Sequence, residues 1–236
     1  MGGLQRRVRP CGGVLGRGAP DRWVLAVAVM MLAWAALPIA DAAAEPIHVV
    51  ALGDSDTSGV GVSARGSYPG QLETFLRERG RDVKIANAGR PGQTAREALG
   101  RLDSTVPQGT AIAILQFGTS DIKVNVPPAA LRETLTAMID RLTARGVKVV
   151  LIGARLPAPQ LIARDYDIPG YNAMFSELAK EKKVPYHRFL QGLPPPPQDR
   201  ERKYYQSDGH LTVAGYAVVV SGLGPKVESL VASLEK

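Results

Sequence analysis

Five short apolar runs alternate with helix-patterned stretches between Ile47 and the end of the chain, and this alternation leaves few folds open. The runs are IHVVAL (47–52), VKIANA (83–88), AIAILQF (111–117), VKVVLIG (147–153) and VPYH (184–187). Helical patterns lie at 68–79, 94–102, 128–145, 171–182 and 212–234. In the third of these, Leu131, Leu135, Met138, Ile139 and Leu142 make one apolar face, and Arg145-Gly146 provides a basic last turn and a stop. The last is expected to break around Gly222-Leu223-Gly224-Pro225. Strands that are apolar on both faces and separated by helices build a parallel sheet covered on each side. The expected fold is therefore α/β, a flavodoxin-like three-layer α/β/α sandwich with a central parallel sheet of about five strands. Gly53, Gly89 and Gly118 each follow the carboxyl end of a run, so their loops should converge on the rim where such sheets bind ligands.

The first 44 residues read as a separate object. Five arginines precede an apolar run from Trp23 to Ala40, and Ala40-Asp41-Ala42 or Ala42-Ala43-Ala44 follows as a cleavage pattern. That is the layout of a signal peptide, with residues 45–236 as the exported domain, periplasmic or secreted. An uncleaved anchor is the competing reading, because a membrane span needs about 20 apolar residues and this run comes close. Cleavage would remove five basic and two acidic residues, lowering the formal charge from +7 to +4. It would also remove the only cysteine, Cys11, and both tryptophans, and with them any disulfide or thiolate metal site. The remaining charge is scattered, with no aromatic-studded basic stripe of the kind that binds nucleic acid. No stable membrane anchor is expected after cleavage, and nothing in the sequence sets an oligomeric state.

Candidate chemistry begins at IHVVALGDSDTSGVG, residues 47–61, where an apolar strand runs into small and polar residues. A serine there is a nucleophile with room for an acyl group, part of a cradle for an anion, or only part of a tight turn. The Gly-x-Ser-x-Gly elbow is absent. Of the three histidines, His48 lies within the first strand and His187 ends the fifth. His210 lies in a polar loop, SDGHLTVAGY, just ahead of the last helix, with Asp208 placed to orient its ring. Asp54 and Asp121 suit loop-bracing roles, and Asp56 lies where a helix start favours an anion. Tyr204, Tyr205 and the four prolines at 194–197 are either a pocket wall or a surface loop.

ALGDSDTSGVG, NAGRPGQT, FGTSD and SDGHLTVAGY, in that order, resemble the sequence blocks of the SGNH/GDSL hydrolases, closest to small secreted arylesterases and thioesterase I-type enzymes. The likeness runs from about Ile47 to the C-terminus. It implies the SGNH hydrolase fold and a serine esterase acting on carboxylic esters or thioesters, without metal or cofactor. Ser55 matches the nucleophile, His210 the general base and Asp208 the acid that orients it. Ser55 and Gly89 match backbone donors of the oxyanion hole. Two positions depart from the pattern. The third block normally supplies an asparagine where this chain has Ser120, and loss of one oxyanion donor costs roughly 10²–10³ in turnover. The acid also stands two residues before the histidine instead of three.

The substrates implied are small-molecule, lipid or glycan esters, with acyl length and alcohol unspecified. Two other classes compete. Ser120 fits a degenerate relative that binds acylated glycan without hydrolysing it, and GDSDTSG alone fits a phosphate- or cofactor-binding loop on a flavodoxin-like sheet.

Overall fold

The computed structural model describes residues 45–155, 170–194 and 202–235. The leader-like segment 1–44, with Cys11 and both tryptophans, lies outside the described residues, as does most of the proline run. Residues 45–236 form one compact unit.

Five parallel strands make the sheet: β1 (Ile47–Gly53), β2 (Val83–Gly89), β3 (Ile112–Gln116), β4 (Lys148–Ile152) and β5 (Tyr186–His187). Their order is β2-β1-β3-β4-β5, so the chain reverses its direction of travel between β1 and β3. At that switch point the loops leaving two neighbouring strands diverge and leave a crevice at the carboxyl rim. Gly53 pairs in register with both Gly89 and Gln116, which sets the ends of β1, β2 and β3 level.

The described helices are α1 (Ser55–Ser58), α2 (Tyr68–Arg77), α3 (Ala95–Gly100), α4 (Leu102–Thr105), α5 (Thr119–Lys123), α6 (Pro128–Thr143), α7 (Tyr171–Lys182) and α8 (Val213–Leu234). Side chains alternate across each strand and so divide the core in two. Val50, Leu52, Ala113, Leu115, Val149 and Leu151 pack under α3, α4, α6 and α7. Val49, Ala51, Ile112, Ile114, Val150 and Ile152 pack under α2 and α8. This is the three-layer arrangement expected, and the apolar face of α6 consists of the five residues named from sequence.

Helix α8 corrects one expectation, since it runs unbroken through Pro225. The proline removes the hydrogen bond to the carbonyl of Ser221, and Ser221 lies on the exposed side where water can replace the donor. The two glycines serve packing. A Cβ at Gly224 would come within 2.5 Å of the Phe75 ring, and one at Gly222 within 2.8 Å of His187. By length and composition α8 could cross a membrane, yet its apolar stripe of Tyr216, Val219, Leu223, Val227 and Val231 is core.

His187 is buried against α8, and neither ring nitrogen has a hydrogen-bond partner among the described residues. Burial, followed by the charge of Lys226, lowers its pKa from 6.5 to about 4. The folded protein therefore holds a neutral ring that gains a proton on unfolding between those values. Its contribution to stability is complete above pH 6.5 and is lost as pH falls toward 4, amounting to about 3 kcal/mol. Between pH 7 and 4 the unfolding free energy from urea melts should fall by about that amount more in the parent than in His187→Leu. Taking the difference matters, because a buried aspartate with a raised pKa, described below, titrates in the opposite sense. Parallel profiles would show that His187 is not the acid-sensitive group.

Candidate active site

The end of β1 is tied to the start of α5 by one carboxylate. Asp54, fully buried at the N-cap of α1, accepts the Asp56 N–H on Oδ1 at 3.0 Å and the Ser120 N–H on Oδ2 at 3.1 Å. Burial and the neighbouring Asp56 carboxylate push its pKa up to about 7. Behind it, Thr57 Oγ1 donates to Gln116 Oε1 at 2.8 Å and lies 3.1 Å from the Tyr68 hydroxyl. Gly53 permits this closeness, as a Cβ there would sit 2.0 Å from Thr57 Oγ1. Asp121 braces the next loop by accepting the Ala95 N–H at 3.1 Å.

Asp56, the residue after Ser55, is fully buried and faces a partner not anticipated from sequence. Arg155, just past the end of β4, donates Nε–H to Asp56 Oδ1 at 2.7 Å, and Thr119 Oγ1 donates to Asp56 Oδ2 at 3.0 Å. Burial opposes the guanidinium charge, but the charge and hydrogen bond of Asp56 hold its pKa above the ordinary value. The available signal was a pair of misfits: an arginine ending an apolar strand and a carboxylate beside the serine on the same rim.

His210 arrives from the far end of the chain in a tight turn. Leu211 pairs antiparallel with Tyr205, and Gln206 N–H donates to the His210 carbonyl at 2.7 Å. Within the turn, Asp208 Oδ1 accepts the His210 backbone N–H at 3.1 Å, and Asp208 Oδ2 lies 2.9 Å from His210 Nδ1. The two-residue spacing thus still brings the carboxylate to the ring. Partial burial raises the Asp208 pKa, but these bonds outweigh it and hold the carboxyl below its ordinary range. With Nδ1 so engaged, Nε2 is the nitrogen left for other work.

Gln206 was not singled out from sequence. Its Nε2 donates to the Val60 carbonyl at 3.0 Å and to the Leu211 carbonyl at 2.7 Å. One amide therefore bridges the segment after Ser55 to the turn that carries His210. Gly61 lies against it, where a Cβ would fall 2.0 Å from Gln206 Oε1.

Ser55, Ser120, Asp208 and His210 line one cavity of about 300 Å³, together with Pro91, Gly92, Lys123 and Arg155. Ser55 and His210 share this wall without a direct hydrogen bond, a common state before substrate binds. Gly89 stands differently from its expected place. It does not line the cavity, and its N–H donates to Asn87 Oδ1 at 3.0 Å. A Cβ there would lie 2.3 Å from the Ser58 nitrogen, so its glycine is required for packing against α1. Gly92, three residues on and at φ +77, lines the cavity instead, and its N–H has no partner among the described residues. The Ser120 N–H is committed to Asp54, and its hydroxyl makes no hydrogen bond among the described residues. Tyr204 and Tyr205 form no part of the wall, and the Tyr205 hydroxyl donates to the Pro194 carbonyl at 3.0 Å.

Residues 51–218 match the GDSL-like lipase/acylhydrolase family. Esterase TesA of Pseudomonas aeruginosa is 30% identical over 156 residues, covering 64% of this chain and 74% of its own length. An arylesterase of Vibrio mimicus is 28% identical over 161 residues, covering 67% and 74%. Among solved structures, TesA superposes with a TM-score of 0.67 at 24% identity, covering 78% of this chain and 99% of that one. AlinE4, an SGNH-hydrolase family esterase, superposes at 0.60 with 28% identity, covering 78% and 96%. Since residues 51–218, from the end of β1 through β5 and into α8, match it, the chain belongs to the GDSL-like lipase/acylhydrolase family.

Proposed function

We propose that this chain is an exported serine esterase that cleaves carboxylic esters or thioesters through an acyl-enzyme. Ser55 Oγ attacks the carbonyl carbon while His210 Nε2 takes its proton, and Asp208 at Nδ1 stabilises the imidazolium. The tetrahedral oxyanion meets the N–H groups of Ser55 and Gly92 and the Ser120 hydroxyl. Gly92 here takes the part that the sequence suggested for Gly89. His210 then gives its proton to the departing alcohol or thiol. Water, deprotonated by the same nitrogen, attacks the acyl-enzyme and releases the acid. The single observation that carries this reading is the convergence of Ser55, Ser120 and the Asp208–His210 pair on one cavity. The names of the relatives, esterase, arylesterase and thioesterase 1, support ester chemistry, and the leader-like residues 1–44 support export.

The test is hydrolysis of p-nitrophenyl acetate, butyrate and octanoate by the purified protein, with Ser55→Ala beside it. A Ser55-dependent rate is expected. If the two proteins both match background while folded, the binding readings take its place.

Gln206 gives a second check on the geometry. Replacing it by leucine removes both Nε2 donors and loosens His210 relative to Ser55. Because displacement of a catalytic group by about 1 Å can cost 10²-fold, kcat should fall by roughly tenfold or more. KM is expected to stay within about twofold, since Gln206 lies behind the cavity and not on its wall. An unchanged kcat would show that the bridge between the two loops is dispensable.

A further inference from the structure

One charge on the cavity wall has no counter-charge among the described residues. The guanidinium of Arg155 is held by Asp56, and the carboxylate of Asp208 is held by His210. Lys123, on the same wall, has neither an ion-pair nor a hydrogen-bond partner among the described residues. It ends α5, so Thr119 and Ser120 lie four and three residues before it, on the same helical face. Lys123 therefore stands about one turn beyond Ser120 on the wall they share. Arg90, next to Pro91 of the wall, also has no ion pair among the described residues, and its charge, after burial, helps lower the pKa of Arg101. The other described residues of the wall are neutral and small: Ser55, Val60, Pro91, Gly92, Thr119 and Ser120. Among the described residues it offers no aromatic plate and no long aliphatic trough for an extended acyl chain. Its distinctive recognition element is a positive charge.

We propose that the site selects esters that carry an anionic group, such as a carboxylate, close to the scissile bond, with Lys123 as the residue that reads it. This rests on the esterase reading above. A charge-assisted contact at the mouth of a part-enclosed cavity is stronger than one on an open surface, and it discriminates between substrates that differ only in charge. Salt weakens it.

The experiment uses two matched pairs of substrates and the full chain. Para-acetoxybenzoate and its methyl ester differ by a charge on the alcohol side, while p-nitrophenyl hemisuccinate and p-nitrophenyl valerate differ by one on the acyl side. For at least one pair, Lys123→Gln should lower the anionic-to-neutral ratio of kcat/KM by about fivefold to tenfold. Lys123→Arg should keep that ratio, and added salt should erode it in the parent. An unchanged ratio in both pairs overturns the proposal. So does an equal fall for charged and neutral esters, which would place the ammonium at the oxyanion instead. Absence of any Ser55-dependent hydrolysis of the neutral esters is a different failure, that of the esterase reading itself.

Discussion

Ser55→Ala should lower kcat/KM for simple esters by roughly 10³–10⁶-fold while leaving the protein as stable as its parent. The two halves of this expectation have separate grounds. The Ser55 hydroxyl makes no hydrogen bond among the described residues. What Ser55 contributes to the fold comes from its backbone, whose carbonyl accepts the Gly59 N–H at 3.1 Å and the Ser58 hydroxyl at 3.0 Å. Alanine retains both bonds and is a good helix former at the first residue of α1. Removing Oγ deletes the nucleophile, and neither His210 nor the oxyanion donors can replace a covalent intermediate. His210→Gln should give a loss of similar size, because the two residues act as one unit and their effects do not add. Ester turnover, together with urea midpoints of both variants, checks the claim. A stable Ser55→Ala protein that retains most of its activity would remove Ser55 from the chemistry.

The sheet and the long helices were legible in the sequence because each carries a period. Runs apolar on both faces gave the five strands, and the spacing from Leu131 to Leu142 gave α6. Helices α1, α4 and α5, with four or five residues each, are too short for any period to show, and α1 and α5 carry much of the site. The continuity of α8 was hidden for a different reason. Glycines 222 and 224 look like a break locally, but they answer to His187 and Phe75, which approach from distant segments. At the site, Ser55, Asp208 and His210 stood out through chemical type and position. Gly92, proposed here as the donor in place of Gly89, did not, because only the structure shows the Asn87 side chain accepting the Gly89 N–H. Gln206 was illegible as well, since its bond to Val60 spans 146 residues.

The largest stability effect should come from Arg155→Met. In the parent, the Asp56 and Arg155 side chains are 0% and 2% exposed, and their ion pair joins α1 to the end of β4 across the rim. Methionine would leave the Asp56 carboxylate buried with Thr119 Oγ1 as a remaining side-chain donor. Breaking such a pair costs about 3–5 kcal/mol, because one charge loses its partner without regaining water. Asp54 adds to the strain, since its own carboxyl already has a raised pKa beside Asp56. The double variant Asp56→Leu/Arg155→Met should recover much of the loss, as apolar replacement of a whole buried pair is often neutral. Urea unfolding of the parent, both single variants and the double variant closes a cycle that isolates the coupling. A coupling below about 1 kcal/mol would mean that the pair does not hold the rim together. Activity should not follow stability through this cycle. The double variant keeps Ser55 and His210, but it loses the carboxylate that fixes Thr119, the residue immediately before Ser120. A stable double variant with lowered kcat would therefore assign the ion pair to placing the oxyanion donors, and one with parental kcat would confine its role to the fold.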